Sequence, residues 1–445
     1  MAMEASQRPL RLRCSVQNYD WGRFGEESTV ARLFRRNSGK EIELGQPYAE
    51  FWMGTHESGP SFVVVAEGSG TEAVTLKKWT GANPGALGDK VVEKWGSDLP
   101  FLFKVAPVLQ LLSFVPVALS DGFDILSVAK ALSIQAHPDK ELARMLHKMR
   151  PSVYKDPNHK PEMAIALTEF KALCGFVSIE ELKDVLVAVP EITQLLGNDE
   201  ASKILSQDLN GYVDAKSFLQ LVFTKLMTAS KEAVSELVSK LKARLDLENK
   251  IRTLTEKEQL VLLLEKQYQA DVGVIAAFLF NYVKLSPGEA LYIGPNEPHA
   301  YISGECIECM ATSDNVVRAG LTPKYIDKQT LCSMLTYKQG FPEILRGSPI
   351  NPYVSRFRPP FDEFEVDRCL LPSKQSVDFS AIPGPSIFVV VAGEGRMEVG
   401  SVVEELRIME GDVYFVPAQT EIRLSAGADG PIKLYRAGVN SRIFA

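Results

Sequence analysis

Histidine is scarce in this chain, with only five among 445 residues. The basic excess of a general nucleic-acid-binding protein is also missing, because the net charge is −7. The six cysteines are scattered along a long chain, which argues against a disulfide framework. The first ten residues contain no apolar signal region. We therefore expect a cytoplasmic protein in a reducing compartment.

One apolar stretch, Phe101–Ser120, approaches the length of a membrane span. A spanning helix needs about 20 residues without charge, but Lys104, Pro107 and Pro116 interrupt this stretch. We predict no membrane span. The composition, 45% hydrophobic and 24% charged, is typical of a globular protein. The length predicts roughly two or three domains.

Three of the five histidines lie in segments that are rich in possible metal ligands. Gln135 and His137 are two positions apart, so on a strand their side chains share one face. Glu162 follows His159, and His299 lies in a second segment. Gln135, His137, Glu162 and His299 form a mixed nitrogen and oxygen set that zinc accepts. The alternative is that His137 and His299 are ordinary hydrogen-bonded histidines near turns.

Secondary-structure patterns divide the chain. Residues 60–65 and 100–105 are predicted to be short buried strands, and Asp139–Met149 is predicted to be a helix. From about Ser178 to Phe280 the pattern is helical, with apolar stripes that indicate core contacts. Strand patterns return at Val283. Cys306 and Cys309 form a C-x-x-C pair, but no second pair accompanies them, so we interpret them as two structural thiols.

A weak internal repeat aligns Pro287–His299 with Glu410–Ile422 without gaps. Each copy has the pattern turn, strand, turn, return strand, which is typical of a cupin-type jelly roll. Ile422 in the second copy takes the position of His299. The repeat predicts that only the first β domain holds a metal site.

Several segments, taken together, resemble type I phosphomannose isomerases (mannose-6-phosphate isomerases) of the eukaryotic kind. These segments are Gln17–Gly22, Glu50–His56, Ser133–Lys140, Asn158–Glu162, Gly304–Leu321 and the overlapping Ser313–Lys324. The resemblance implies a mainly β fold with two cupin-like jelly-roll domains and an inserted helical domain. We expect a catalytic domain at 1–177 and 281–345, a helical domain at 178–280, and a metal-free C-terminal domain at 346–445.

The resemblance also implies a zinc enzyme that interconverts mannose 6-phosphate and fructose 6-phosphate, with one Zn²⁺ per chain. It assigns the four candidate ligands above to that zinc and places Arg318 in the active site. The residues expected to line the substrate pocket are Lys104, Ser133, Lys160, Tyr301 and Lys324. The three lysines are candidate cations for the 6-phosphate. The family role would supply mannose for GDP-mannose synthesis, and we expect a monomer.

An aldose–ketose isomerisation through a cis-enediol needs a base, a stabilised oxyanion and an opened sugar ring. Glu308 and Glu50 are carboxylate candidates for the base, and a zinc-bound water is a third. Arg318 is a poor base because guanidinium hardly loses its proton, so we predict that it stabilises the enediolate. His56 is a candidate for ring opening, with a simple turn histidine as the alternative.

The chain departs from the family pattern at Ala106–Ile125, an apolar insert without clear periodicity. We interpret it as a retained intron or an altered splice junction that bulges out near the pocket. Two alternatives to an active isomerase follow. One is a folded but impaired splice isoform, and the other is a cupin that binds metal without catalysis.

Overall fold

A computed structural model describes residues 8–25, 28–64, 73–108, 130–197, 202, 205, 212–400 and 405–445. In chain order, the strands are β1 Leu10–Arg13, β2 Ser15–Gln17, β3 Arg23–Phe24, β4 Pro47–Tyr48, β5 Glu50–Met53, β6 Phe62–Val63, β7 Val74–Thr75, β8 Phe101–Val108, β9 Ile134–Ala136, β10 Glu162–Ala166, β11 Phe170–Phe176, β12 Phe280–Leu285, β13 Ala290–Ile293, β14 His299–Ala311, β15 Val317–Gly320, β16 Ile344–Leu345, β17 Ser348–Asn351, β18 Val354–Phe357, β19 Glu365–Leu371, β20 Ser376–Phe379, β21 Ser386–Ala392, β22 Glu394–Val399, β23 Glu405–Met409, β24 Val413–Val416, β25 Ile422–Ala426 and β26 Ile432–Gly438.

The helices lie mostly between β11 and β12. They are α1 Thr29–Ser38, α2 Leu76–Ala82, α3 Asp89–Trp95, α4 Lys140–Met149, α5 Ile179–Ala188, α6 Pro190–Leu196, α7 Tyr212–Thr228, α8 Lys231–Glu248, α9 Glu256–Gln267, α10 Val272–Ala276 and α11 Lys328–Met334, with short 3₁₀ turns at Pro84–Ala86, Ala277–Leu279 and Ser441–Phe444. The predicted fold class, mainly β with a helical insertion, is confirmed.

The largest sheet has eleven strands and is organised around β14, which is buried along its whole length. β14 pairs with β8, β9, β10 and β11. Its direction changes at Gly304, where φ is 109°. A Cβ at this glycine would lie 2.3 Å from the carbonyl oxygen of Glu169. Glycine is required here because both the backbone conformation and the close approach exclude a side chain.

A nine-stranded sheet joins the two ends of the chain, since β1 pairs with β24 on one side and with β6 on the other. A separate four-stranded sheet has the order β20-β25-β22-β23. One apolar core combines side chains of the N-terminal strands with those of the C-terminal sheet, including Leu12, Phe51, Phe415 and Tyr435. The N-terminal strand is therefore part of the C-terminal sheet's packing.

The two copies of the predicted repeat have the same local structure. β13 and β24 begin at aligned positions, and so do β14 and β25. The turns also correspond, because Gly288 and Gly411 have φ of 90° and 89°. Asn296 and Gln419 follow with φ of 61° and 59°. The repeat therefore extends to individual left-handed backbone positions.

The helical segment follows from its caps and its apolar stripes. Ser178, Ser230 and Thr255 accept hydrogen bonds from backbone amides at the starts of α5, α8 and α9. Thr255 and Glu258 form a complete capping box. The apolar stripes pack into one core, whose helical members include Val222, Leu226, Val234, Leu237, Leu241, Leu260 and Leu264.

The predicted insert begins later than the sequence pattern suggested. Residues 106–108 extend β8 and pair with Cys306, Glu305 and Gly304 of β14. β8 is longer than expected because it pairs with β14 without interruption along its whole length. The rest of the insert, up to residue 125, lies outside the described residues. Among the described helices, none is long and apolar enough to cross a membrane.

Candidate active site and metal centre

Three buried side chains converge where β9, β10 and β14 meet. His137 follows the last residue of β9, Glu162 begins β10 and His299 begins β14. Their ligand atoms all lie within 4.8 Å of one another. His137 Nε2 is 3.3 Å from Glu162 Oε1, and His299 Nε2 is 3.4 Å from Glu162 Oε2. The sheet thus brings together residues that are far apart in the chain.

Backbone carbonyls fix the orientation of both imidazoles. His137 Nδ1 donates to the carbonyl oxygen of Asn315 at 2.6 Å, and His299 Nδ1 donates to that of Glu297 at 3.2 Å. A carbonyl can only accept, so each Nε2 presents its lone pair toward Glu162. Burial lowers the pKa of His137 to about 4, which keeps that ring neutral near pH 7. Both Nε2 atoms are buried without a hydrogen-bond partner in the described part of the chain, a deficit that a metal ion would fill.

Gln135 lies beside this cluster on β9. It is the cross-strand partner of His299 on β14 and of Arg318 on β15. Its Oε1 accepts a hydrogen bond from Ser133 Oγ at 3.3 Å. The cluster itself offers two imidazoles and one carboxylate, a donor set that suits zinc, and Gln135 adds a neutral amide oxygen on the neighbouring strand position.

Lys160 neutralises the single carboxylate of this set. Its Nζ lies 2.9 Å from Glu162 Oε1, and both side chains are largely buried. Burial by itself would raise the pKa of Glu162, but the Lys160 ammonium holds it well below its usual range. Glu162 is therefore ionised and available as a ligand.

A cavity of about 720 Å³ opens beside the cluster. The predicted site residues that line it are Glu50, His56, Lys104, Ser133, Gln135, Lys160, Arg318 and Lys324. Five others, His137, Glu162, His299, Tyr301 and Glu308, are buried behind this lining. All thirteen residues that the sequence singled out therefore lie in or next to one site.

Lys104 is surrounded by carboxylates, which the sequence did not reveal. Its Nζ donates to Glu308 Oε2 at 2.8 Å and lies 3.8 Å from Glu50 Oε1. Tyr301 donates to the other oxygen of Glu308, and Trp52 donates to Glu50. Burial raises the pKa of Glu308. Burial by itself would lower the pKa of Lys104, but the carboxylates of Glu308 and Glu50 outweigh it, and the pKa of Lys104 is raised. The positive charge of Lys104 is already compensated.

His56 faces a carboxylate that sequence reasoning did not single out. Its Nδ1 accepts from the amide of Ser58 at 3.2 Å, so the ring proton belongs on Nε2, 3.3 Å from Asp314 Oδ1. This interaction holds the pKa of Asp314 below its ordinary value. In the sequence, Asp314 belongs to the family segment that also contains Arg318, but nothing there indicated its contact with His56. The pair lines the cavity.

Among the cations of the cavity lining, Arg318, Lys324 and Lys130 make no ion pair with any described residue. Arg318 is half-buried, Lys324 is exposed, and the Lys130 ammonium lies over the ring of Tyr268. Burial lowers the pKa of Arg318. The cavity wall also contains aromatic residues that the sequence analysis did not assign to the pocket, including the stacked rings of Tyr19 and Trp21, 5.9 Å apart.

Family models match most of this architecture. Residues 10–116 and 118–179 match the model "Phosphomannose isomerase type I, catalytic domain", and residues 195–280 match its "helical insertion domain". Mannose-6-phosphate isomerase 1 of Arabidopsis thaliana is 56% identical over 440 residues, covering 99% of this chain and 96% of the relative. Mannose-6-phosphate isomerase of Homo sapiens is 38% identical, covering 97% and 99%.

The chain belongs to the type I phosphomannose isomerase family. It is therefore an enzyme of the predicted isomerase class. Its fold matches that of a mutant phosphomannose isomerase from Salmonella typhimurium, with a TM-score of 0.77, 28% identity and coverage of 97% of this chain and 99% of the other. A zinc-bound mannose 6-phosphate isomerase matches with a TM-score of 0.76 and the same identity and coverage. Together with the His137, Glu162 and His299 cluster, this match confirms the prediction of a zinc cofactor for this phosphomannose isomerase family member.

Proposed function

We propose that the chain interconverts mannose 6-phosphate and fructose 6-phosphate through a cis-enediol in the cavity beside the metal cluster. The observation that carries this proposal is the convergence of two buried imidazole Nε2 atoms on one buried carboxylate. A large cavity with unpaired cations adjoins them. Cellular roles belong to the same proposal: a cytoplasmic monomer that supplies mannose for GDP-mannose synthesis.

Gln135, His137, Glu162 and His299 would hold the zinc. When bound, zinc supplies a Lewis acid that polarises the substrate carbonyl. Glu162 is the single anionic residue of this set, and Gln135 contributes an uncharged oxygen. The site therefore retains more positive charge than one with two carboxylates.

The 6-phosphate is assigned by charge balance. Lys104 and Lys160 already face Glu308 and Glu162, at 2.8 and 2.9 Å. Lys324 and Lys130 line the cavity without an ion pair among the described residues, but the Lys130 ammonium lies over the ring of Tyr268, 5.7 Å from its centroid. We therefore propose that Lys324 and the Ser133 hydroxyl bind the phosphate. Arg318, opposite Gln135 in the sheet, is placed to stabilise the enediolate.

Proton transfer between C1 and C2 needs a group that faces the cavity. Glu308 lies behind the lining and is occupied by Lys104 and Tyr301. Lys160 lines the cavity and reaches the metal cluster. We propose that the Glu50 carboxylate, which lines the cavity, takes this proton from one carbon and returns it to the other, while the Lys160 ammonium stabilises the negative charge that develops on the substrate oxygen. His56, paired with Asp314, is proposed to exchange the proton that opens the ring.

Turnover of mannose 6-phosphate in ²H₂O tests this function. We expect isomerisation together with incorporation of solvent deuterium, because an enediol exchanges its proton with the protein and water. Chelation should abolish turnover, and added zinc should restore it. His299→Ala should lose both zinc and activity. His147→Gln is the control, since His147 bonds to the carbonyl of Tyr154 outside the cavity.

Zinc binding without turnover would support an impaired isoform or a non-catalytic cupin. Turnover without deuterium incorporation would contradict the enediol with a solvent-exchanging base. Loss of deuterium incorporation in Glu308→Gln but not in Glu50→Gln would refute the assignment of the proton carrier.

A further inference from the structure

The segment that delivers Lys160 to the cavity has no regular secondary structure. Residues 150–161 connect α4 to β10 as turns and extended chain. Glu162 is fixed by its sheet pairing with Ile293 and Met310, and the carbonyl of Pro161 accepts from the amide of Ala311 at 3.0 Å. Residues 156–159, just before Lys160, are held instead by hydrogen bonds in which a side chain takes part.

One side of this segment is tied to residues 312–315. Asn158 donates to the carbonyl of Thr312 at 3.0 Å, and its own carbonyl accepts from Asn315 at 2.8 Å. Asp156 accepts from the amide of Asp314 at 2.7 Å. These bonds hold one edge of the segment against the loop that joins β14 to β15, the strand that contains Arg318.

The other side is tied to the C-terminal part of the chain. His159 Nε2 lies 2.7 Å from Glu363 Oε1, with 14% and 5% of the two side chains exposed. Burial would raise the pKa of Glu363, but the hydrogen bond from His159 outweighs it, so the carboxylate is ionised and accepts. His159 thus points to Glu363, while its neighbour Lys160 points to Glu162.

Glu363 is presented by a rigid loop. The fully buried side chain of Asn440 donates to the carbonyls of Pro359, Phe361 and Phe364, at 3.1, 2.7 and 3.1 Å. These bonds span the loop that joins β18 to β19. Glu363 therefore occupies a fixed position relative to the C-terminal sheet.

We propose that Glu363 is a positioning residue for the isomerase reaction. Acting through His159, it holds the backbone that places Lys160 Nζ at the cavity. The metal-free C-terminal part of the chain thereby contributes to catalysis without touching the substrate. This inference rests on the proposed role of Lys160.

Three single variants first test the inference in the full-length, zinc-loaded protein. Glu363→Ala should lower kcat about tenfold, because small displacements of a catalytic group are costly, while KM stays within about twofold. Glu363→Gln keeps an acceptor for His159 and should restore most of the activity. Asp362→Asn is the matched control, since Asp362 lies in the same loop and pairs with Lys94 and Arg442 at the surface.

The decisive comparison is Lys160→Met with and without Glu363→Ala. If Glu363 acts through Lys160, the double variant should have the kcat of Lys160→Met alone. The inference is overturned if the double variant has a lower kcat than Lys160→Met, or if Glu363→Ala leaves kcat unchanged. It is also overturned if Glu363→Ala lowers zinc content and melting temperature in parallel with kcat. If Glu363→Ala does not fold, His159→Ala removes the same contact and is read by the same criteria. Full activity of Lys160→Met by itself would instead refute the proposed role of Lys160.

Discussion

Asn296 and Gln419 occupy equivalent turns in the two copies of the repeat, both with left-handed backbone. Two side-chain hydrogen bonds offset the cost of the left-handed backbone at Asn296. Its side-chain amide donates to the Asp139 carboxylate, and its side-chain oxygen accepts from the Asp139 backbone amide. Gln419 has no such side-chain bond in the described part of the chain. The same backbone geometry is therefore held by side-chain hydrogen bonds in the copy where it precedes His299, and not in the other copy.

Replacing each residue by glycine should have opposite effects on stability. Gln419→Gly removes a left-handed strain of roughly 1 kcal/mol and should leave the free energy of unfolding unchanged or raise it. Asn296→Gly loses two hydrogen bonds and should lower it by about 1–2 kcal/mol. Urea unfolding of both variants measures the difference. A larger loss in Gln419→Gly than in Asn296→Gly would contradict this account.

Gln135→Glu should separate zinc binding from turnover. A second anionic ligand should retain or tighten zinc, but it should reduce the metal's positive charge and lower kcat at least about tenfold. Zinc content and the competition of a chelator provide a readout that is independent of activity. Unchanged kcat in the zinc-loaded variant would show that the neutrality of Gln135 is not important.

Lys104→Met should destabilise the protein because it leaves Glu308 buried without its cation. Removing one partner of a buried pair typically costs about 3–5 kcal/mol. Lys104→Met combined with Glu308→Gln should recover part of this loss, since no charge is then left alone. Urea unfolding at pH 7 measures both. Equal stability of the single and double variants would contradict the importance of the ion pair.

Asp367 should contribute to stability in a pH-dependent way. It pairs with Arg356 and Arg436 at 2.7 and 2.6 Å. Burial by itself would raise the pKa of Asp367, but the two guanidinium groups have the larger effect, and the pKa lies below its ordinary value. Its contribution is therefore complete above the unfolded pKa of about 3.9 and is lost as the pH falls toward the lower folded value.

Asp367→Asn should accordingly be less stable than wild type at pH 7, by about 3 kcal/mol. The difference should stay constant down to about pH 5 and shrink below about pH 4. Asp378→Asn serves as the control, because its pair with Arg423 is exposed and such pairs contribute about 1 kcal/mol or less. A difference that grows on acidification would contradict the assigned direction of the pKa shift.

The ligand residues could be found from the sequence because their signals are local. Gln135 and His137 share a strand face, and scarce histidines stand out in short segments. Asn158, Glu162 and Arg318 occur in contiguous family motifs. The helical segment was equally accessible, since its caps and apolar stripes repeat within a few residues.

The sequence by itself determined which side chains can bind zinc, where the helices are inserted and which β copy has lost its histidine. Only the tertiary structure decided which charges are free. Lys104 and Glu308 are 204 positions apart, and so are His159 and Glu363. Periodicity and turn chemistry report on neighbours within a few residues. Cross-strand pairing of β14 with β8 places Glu308 beside Lys104 and neutralises that lysine, and the packing of the C-terminal loop brings Glu363 to His159.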